Sequence, residues 1–274
     1  MTYFNRSATN PSTQFQVIAD AYTTVGIPAP TRALDIKKLV KDESRNVYQT
    51  AAQLAQEALL TELEPADWYT AAVEQIKEAQ AREALAAAFN RSYSDAVTRA
   101  LPRYLGEAAL ALTPTADKAI KELNAAAKEL PAGKDALDPE TAIRENAGPA
   151  LNKARAALTL LSTLTNIHQI QTPGDVPPAL NNLLPILNLP EAVKEKVAKT
   201  YGESTKTLNE DKLAGTRAIR ALATDARTDV DLALINVARG QYPGVTLKLA
   251  TPAAHSERRR AANLAHQREY IAQA

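Results

Sequence analysis

Cysteine is missing altogether from these 274 residues. Disulfides, thiolate nucleophiles and cysteine-bound zinc are therefore excluded. Glycine is scarce, with nine residues, so few loops can bring backbone close to a ligand. Ala132-Gly133-Lys134-Asp135 lacks both the upstream glycine and the following Ser or Thr of a phosphate-binding loop. Aromatic residues make up 5%, with one Trp and one Met. The core must then be thin, with Leu, Val and Ile filling seams between close helices. Neither sign of charge dominates: 32 basic against 31 acidic residues leave +1. Nothing global steers such a chain to nucleic acid or anionic lipid. Long apolar runs are also missing. The two most apolar windows, 156–164 and 180–189, fall far short of the roughly 20 residues that cross a bilayer. Residues 1–10 show no basic region followed by an apolar one, so no secretory signal is read there. The expected location is the cytoplasm, or a virion if the source is viral, with no membrane partner.

What is abundant is alanine, the best helix former. The expected fold class is all-α, a multi-helix bundle of about eight to ten helices with one short C-terminal β-strand. The longest proline-free helical period lies in 208–239. There Gly215, Ile219, Leu222, Ala226, Val230, Ala233 and Val237 keep one stripe on one face. Gly240 and Pro243 then stop it. This stretch is expected to be the central helix.

Four regions are expected: an N-terminal arm over 1–33, a helical bundle over 34–170, a proline-rich crossover over 171–190, and a C-terminal helical part over 191–274. In the first, Ser12 or Thr13 is placed to cap a helix over 14–22, and the Gly26-to-Pro30 segment ends it. In the second, Val40, Val47 and Leu54 recur every seven, with Ala51 and Ala58 between, so 34–63 reads as a helix. Another helix over 66–89 would bury Tyr69, Ala72, Val73, Ile76 and Ala79. A third, capped by Ser92 or Ser94, carries Val97, Leu101, Leu105 and Leu112, with Pro102 kinking or restarting it. Thr113-Pro114 and Asp138-Pro139 read as helix starts, Gly148-Pro149 as a break. The apolar stretch 158–170 belongs in the middle of the bundle. The crossover needs cover for Leu180, Leu183, Leu184, Ile186, Leu187 and Leu189, from the chain's own core or a partner. A short helix is expected over 191–201. Residues 245–249 alternate apolar and polar after a Pro-Gly turn and give the one convincing strand signal. Its mate would be 2–4 or a strand of another subunit. Residues 256–274 read as a helix capped by Ser256.

Few residues carry reactive chemistry. His168, His255 and His266 are far apart and fit no metal-ligand spacing. Asp225 and Asp229 stand four apart, the spacing of a paired carboxylate site, but Arg227 lies between them and is spaced to pair with Asp231. A salt-bridge ladder is the preferred reading. No catalytic residue, metal ligand or cofactor is assigned. The expected partner-binding residues are Val245, Leu247 and Leu249 on the strand and Arg258, Arg259, Arg260 and Arg268 on the terminal basic helix. The partner would be the chain itself or another structural protein.

The function expected is therefore non-enzymatic: a structural or assembly protein offering an arm, a strand and a basic helix to its neighbours. Helical, alanine-rich and cysteine-free, with a basic end helix, the chain resembles in layout, not in any motif, virion or head-assembly proteins of tailed phages. One alternative is a nucleic-acid-binding accessory protein using the four arginines. The other is a helical-bundle enzyme with a carboxylate metal site at Asp225 and Asp229.

Overall fold

A computed structural model describes residues 11–29, 38, 47–58, 65–168, 176–199 and 205–271. The architecture is mainly α, as expected: a bundle of helices with a few short strands. Helix α1 (Pro11–Thr24) starts just ahead of the expected cap residues. Helix α2 (Val47–Ala58) is the described part of the expected 34–63 helix; Val40 and the segments to either side, Lys38 apart, lie outside the described residues. Thr2 to Phe4, one proposed strand mate, also lies outside them.

Helix α3 (Pro65–Glu129) is a correction. Its 65 residues join into one helix what the sequence divides near residue 90 and at Thr113. An interior proline costs a helix about 3 kcal/mol, yet Pro102 and Pro114 both sit on the exposed side. The opposite side, with Leu101, Leu105, Leu112 and Ala116, packs into the core without a break. Packing there outweighs two lost ladder bonds. The Thr113 hydroxyl donates to the Ala109 carbonyl at 2.6 Å inside the helix instead of capping a new one. At the far end the Arg239 guanidinium donates to the carbonyls of Ala127 (2.9 Å), Leu130 (2.9 Å) and Pro131 (2.7 Å). It thereby satisfies carbonyls that a helix end leaves orphaned.

Helix α4 (Pro139–Arg144) starts as its sequence dictates, with the Asp138 side chain accepting from the Thr141 amide at 2.8 Å and proline in the first turn. Asn146, at φ 57°, makes the break before α5 (Gly148–Thr165). Leu158, Leu161, Leu164 and Ile167 are fully buried, so this stretch is the middle of the bundle. Helix α6 (Pro178–Leu183) follows. Leu180, Leu183, Leu184, Ile186 and Leu187 are all buried in the main core, so the chain itself covers the apolar part of the proline-rich stretch.

The C-terminal third departs most from expectation. Strands β1 (Leu187–Asn188), β2 (Glu195–Lys199) and β3 (Thr205–Thr207) precede helices α7 (Ala214–Thr228) and α8 (Val230–Ala238). Strand β4 (Thr246–Leu247), helix α9 (Pro252–His266) and strand β5 (Arg268–Ile271) complete the order. Where a short helix is expected over 191–201, residues 191–194 are irregular and 195–199 form strand β2; 200 and 201 lie outside the described residues. Antiparallel β3 and parallel β5 flank β2, giving the order β3-β2-β5. Asn209 also acts as a strand neighbour: its side chain accepts from the Lys196 amide at 3.0 Å and donates to the Lys194 carbonyl at 2.6 Å. Such partners lie outside the segment's own sequence, so helical periodicity there misleads.

The expected central helix is two. Asp229 leaves helical geometry at φ −151°, ψ 108°, and its carboxylate accepts from the amides of Asp231 (3.0 Å) and Leu232 (2.9 Å). A well-placed aspartate offers the backbone a cap in place of the next helical turn. The strand at 246–247 has a mate within the chain, and it is neither of those expected. β1 pairs with it antiparallel, Leu187 opposite Leu247, and Lys248 and Ala250 extend the ladder to Ile186 and Pro185 (2.8 and 2.7 Å). Finally, α9 is capped by Thr251, not Ser256, and ends at His266. Arg268 lies in β5. No helix among the described residues is long and apolar enough to cross a membrane.

Candidate protein interface

The residues singled out at the C-terminal end mostly work inward. Val245 and Leu249 are buried, and Leu247 is half-buried against β1. Arg258 is 6% exposed and donates from one nitrogen to the carbonyls of Leu184 (3.1 Å), Pro185 (3.2 Å) and Lys248 (2.9 Å). These carbonyls belong to the end of α6 and to the extended segment beside it, so Arg258 pins α9 over the β1–β4 pair. Burial pushes its pKa down to about 10, still a cation at neutral pH. Arg259 is half-buried and Arg260 exposed.

Arg268 joins a cluster that sequence spacing could not reveal. Its Nε donates to Glu195 Oε2 at 3.1 Å, and Arg220 Nη1 donates to the same oxygen at 2.7 Å. The Thr207 hydroxyl donates to Glu195 Oε1 at 3.2 Å. Arg220 also donates to the Ala265 carbonyl. One carboxylate thus ties β5, β3 and α7 to β2. The Arg220 hydrogen bond, above all, holds the Glu195 carboxyl below the usual carboxylate range. The geometry is that of a structural clasp.

The carboxylate pair considered for a metal is similarly engaged. Asp225 accepts from the Tyr242 hydroxyl at 2.6 Å, and burial together with this carboxylate raises the tyrosine pKa. Asp229 starts α8. Among the described residues no group of three or more His, Asp or Glu side chains is placed to hold a metal ion. His255 is held neutral, its pKa lowered to about 4 by burial and then by Arg258 and Arg259. His266 Nδ1 lies 2.8 Å from the Ala262 carbonyl of its own helix, and His168 closes a 3-10 turn after α5.

The surface with most to offer a partner lies at the other end of the molecule. Leu101 is the first α3 residue in the main core; Tyr93 and Val97 join Phe15 in a small separate cluster. Residues 65–92 of α3 contribute no buried member to either cluster; of them, only Phe89 packs against the small one. Among the described residues α2 packs on them, and the two form an arm whose α3 part is about 42 Å long at 1.5 Å per residue. These two described helices do not cover each other's apolar faces. An open cleft of about 480 Å³ runs between them, lined by Ala51, Leu54, Ala55, Trp68, Tyr69, Ala72, Val73 and Ile76. Tyr69, expected on the buried face, is 66% exposed at this rim, and Tyr48 on α2 is 85% exposed. The adjacent pair Trp68-Tyr69, in a chain poor in aromatics, is the signal that sequence reasoning passed over.

Compared with family models, with curated proteins and with solved structures, the chain finds no match.

Proposed function

We propose that this chain is a non-enzymatic structural protein of a larger assembly, and that it contacts further copies of itself through the apolar cleft of its arm. The observation that carries this reading is the placement of Trp68, Tyr69, Val73 and Ile76 around an open cleft on an arm outside the core. Aromatic side chains bring large apolar area at little entropic cost and are enriched at interface centres. A helix from a neighbour laid in that cleft would convert two helices into a packed bundle. In its finer form the reading is a virion or head-assembly component of a tailed phage, which rests on the alanine-rich, cysteine-free helical layout.

Light scattering on the purified chain over a wide concentration range tests it. The expected result is a mass above the monomer that rises with concentration, returning to the monomer in Trp68→Glu and Ile76→Glu with the circular dichroism of the body unchanged. A parent chain monomeric at every concentration would sink the self-contact.

A second reading, nucleic-acid binding through α9, is favoured by the outward position of Arg260. Its signature would be an affinity falling steeply with salt, with a slope reduced in Arg260→Ala. The buried Arg258 and the clasped Arg268 leave this reading fewer cations than the sequence suggests.

A further inference from the structure

The arm joins the body through a single described helix that carries a proline at the junction. Pro102 supplies no N–H to the ladder of α3, and every α3 residue of the main core lies at or beyond Leu101. Helix α1 lies across this point. Phe15, 1% exposed, packs on Tyr93 and Val97 before the proline. It also meets the Tyr104 ring after it edge-on, with centroids 4.6 Å apart and planes at 79°. One turn further along α1, Ile18, Ala21 and Tyr22 sit in the main core with Leu101 and Leu105.

Both ends of α1 are fastened to the body. The buried Gln14 amide donates to the carbonyls of Asn166 (3.1 Å) and Ile167, just past α5. At the other end the chain turns at Gly26, with φ 72°, and the Ile27 amide returns to the Tyr22 carbonyl at 3.0 Å. Val25 and Ile27 pack on the main core there.

We infer that α1 is a splint: it fixes the direction of the arm, and Pro102 is the pivot about which the arm swings when the splint is released. The lever is long. The start of α3 lies about 55 Å from Pro102 at 1.5 Å per residue, so a swing of about 10° moves it by about 10 Å. A contact at Phe15 thus controls where the aromatic cleft is presented. The splint holds whatever the arm contacts, so its failure would leave the proposed self-contact standing, and the reverse.

The absence of cysteine makes the test clean. Spin labels on Ala81→Cys in the arm and Lys153→Cys on α5, both exposed positions, report the arm-to-body distance in the full chain by pulsed electron resonance. A narrow distribution is expected in the parent and a broad one in Phe15→Ala and Gln14→Leu, with α5 amides still protected from exchange. Adding Pro102→Ala, which restores the missing N–H, should narrow it again. Gln14→Leu keeps the side-chain shape and carries the test should Phe15→Ala unfold the body. Unchanged widths in a folded variant overturn the splint. A broad distribution that Pro102→Ala does not narrow overturns the pivot.

Discussion

Along the one helix α3 the packing changes halfway. Between Leu101 and Leu130 its buried positions include Leu105, Leu112, Ile120 and Leu123, set against α5 and α8. Between Ala72 and Ala86 the buried positions are Ala72, Ala79 and Ala86, seven residues apart. A fully buried leucine contributes about 2–3 kcal/mol, and an alanine, with one methyl, a fraction of that. The period is helical in both halves; what differs is the apolar area each turn withdraws from water. The body can therefore hold its shape alone. The arm is the half that gains most from something laid upon it.

Substitutions should divide accordingly. The largest effect belongs to Leu161→Ala, at the fully buried centre of α5. A loss of about 4 kcal/mol is expected, read as one cooperative shift of the body in denaturant melts. Gly215→Ala should cost about 3 kcal/mol. A Cβ there would fall on the Glu191 carbonyl oxygen, two residues before Val193, whose amide and carbonyl both bond the Thr216 hydroxyl (3.0 and 2.9 Å). A melt indistinguishable from the parent would show that this contact relaxes freely.

Acid should act on the body as well. The folded His255 takes up its proton only near pH 4, the unfolded one near the ordinary 6.5. The folded-state value is lowered, so stability is full above about pH 6.5 and falls by up to about 3 kcal/mol as the pH drops to 4. His255→Gln should flatten that part of the acid limb. Glu195 adds a separate loss at lower pH. Its folded pKa is also depressed, so its contribution is present above the ordinary carboxylate value and disappears as the pH falls through the folded one. Removing the cap on α3 with Arg239→Met leaves three carbonyls to find other partners. A cost of about 2 kcal/mol is expected, together with faster amide exchange in the last turns of α3.

The smallest global effect sharpens the contrast. Leu54→Ala removes the largest buried side chain of α2. If the arm opens on its own, the main melting transition should move by less than about 0.5 kcal/mol while amide exchange over 66–90 speeds up by about tenfold. A shift as large as that of Leu161→Ala would show arm and body to be one cooperative unit.

The sequence by itself determined the class of the protein and much of its helical content. Alanine content and 3.6-residue spacing specify helices wherever the chain's own turns satisfy the backbone. Local chemistry then marked Asp138-Pro139 and Gly148-Pro149 correctly: at the first a cap and its amide lie within three residues of each other, and at the second, where no side chain caps the helix, proline in the first turn follows the break. The core run 158–167 was legible from composition and spacing alone, and the apolar residues of the proline-rich stretch were legible as needing cover, while the fold decided that the chain's own core supplies it.

Tertiary structure decided what depends on distant partners. It carried α3 through two prolines by packing their opposite face, and turned Glu195–Lys199 into a strand by supplying neighbours from 205–207 and 268–271. It drew Arg258 inward to carbonyls more than seventy residues away as well as to nearby Lys248. An arginine run reads as a surface in sequence because charge favours water. Only the fold shows that three backbone carbonyls converge to offer one of those arginines a better place. Conversely, Tyr69 reads as core from its spacing, yet is left outside because the arm has too few described helices to enclose it.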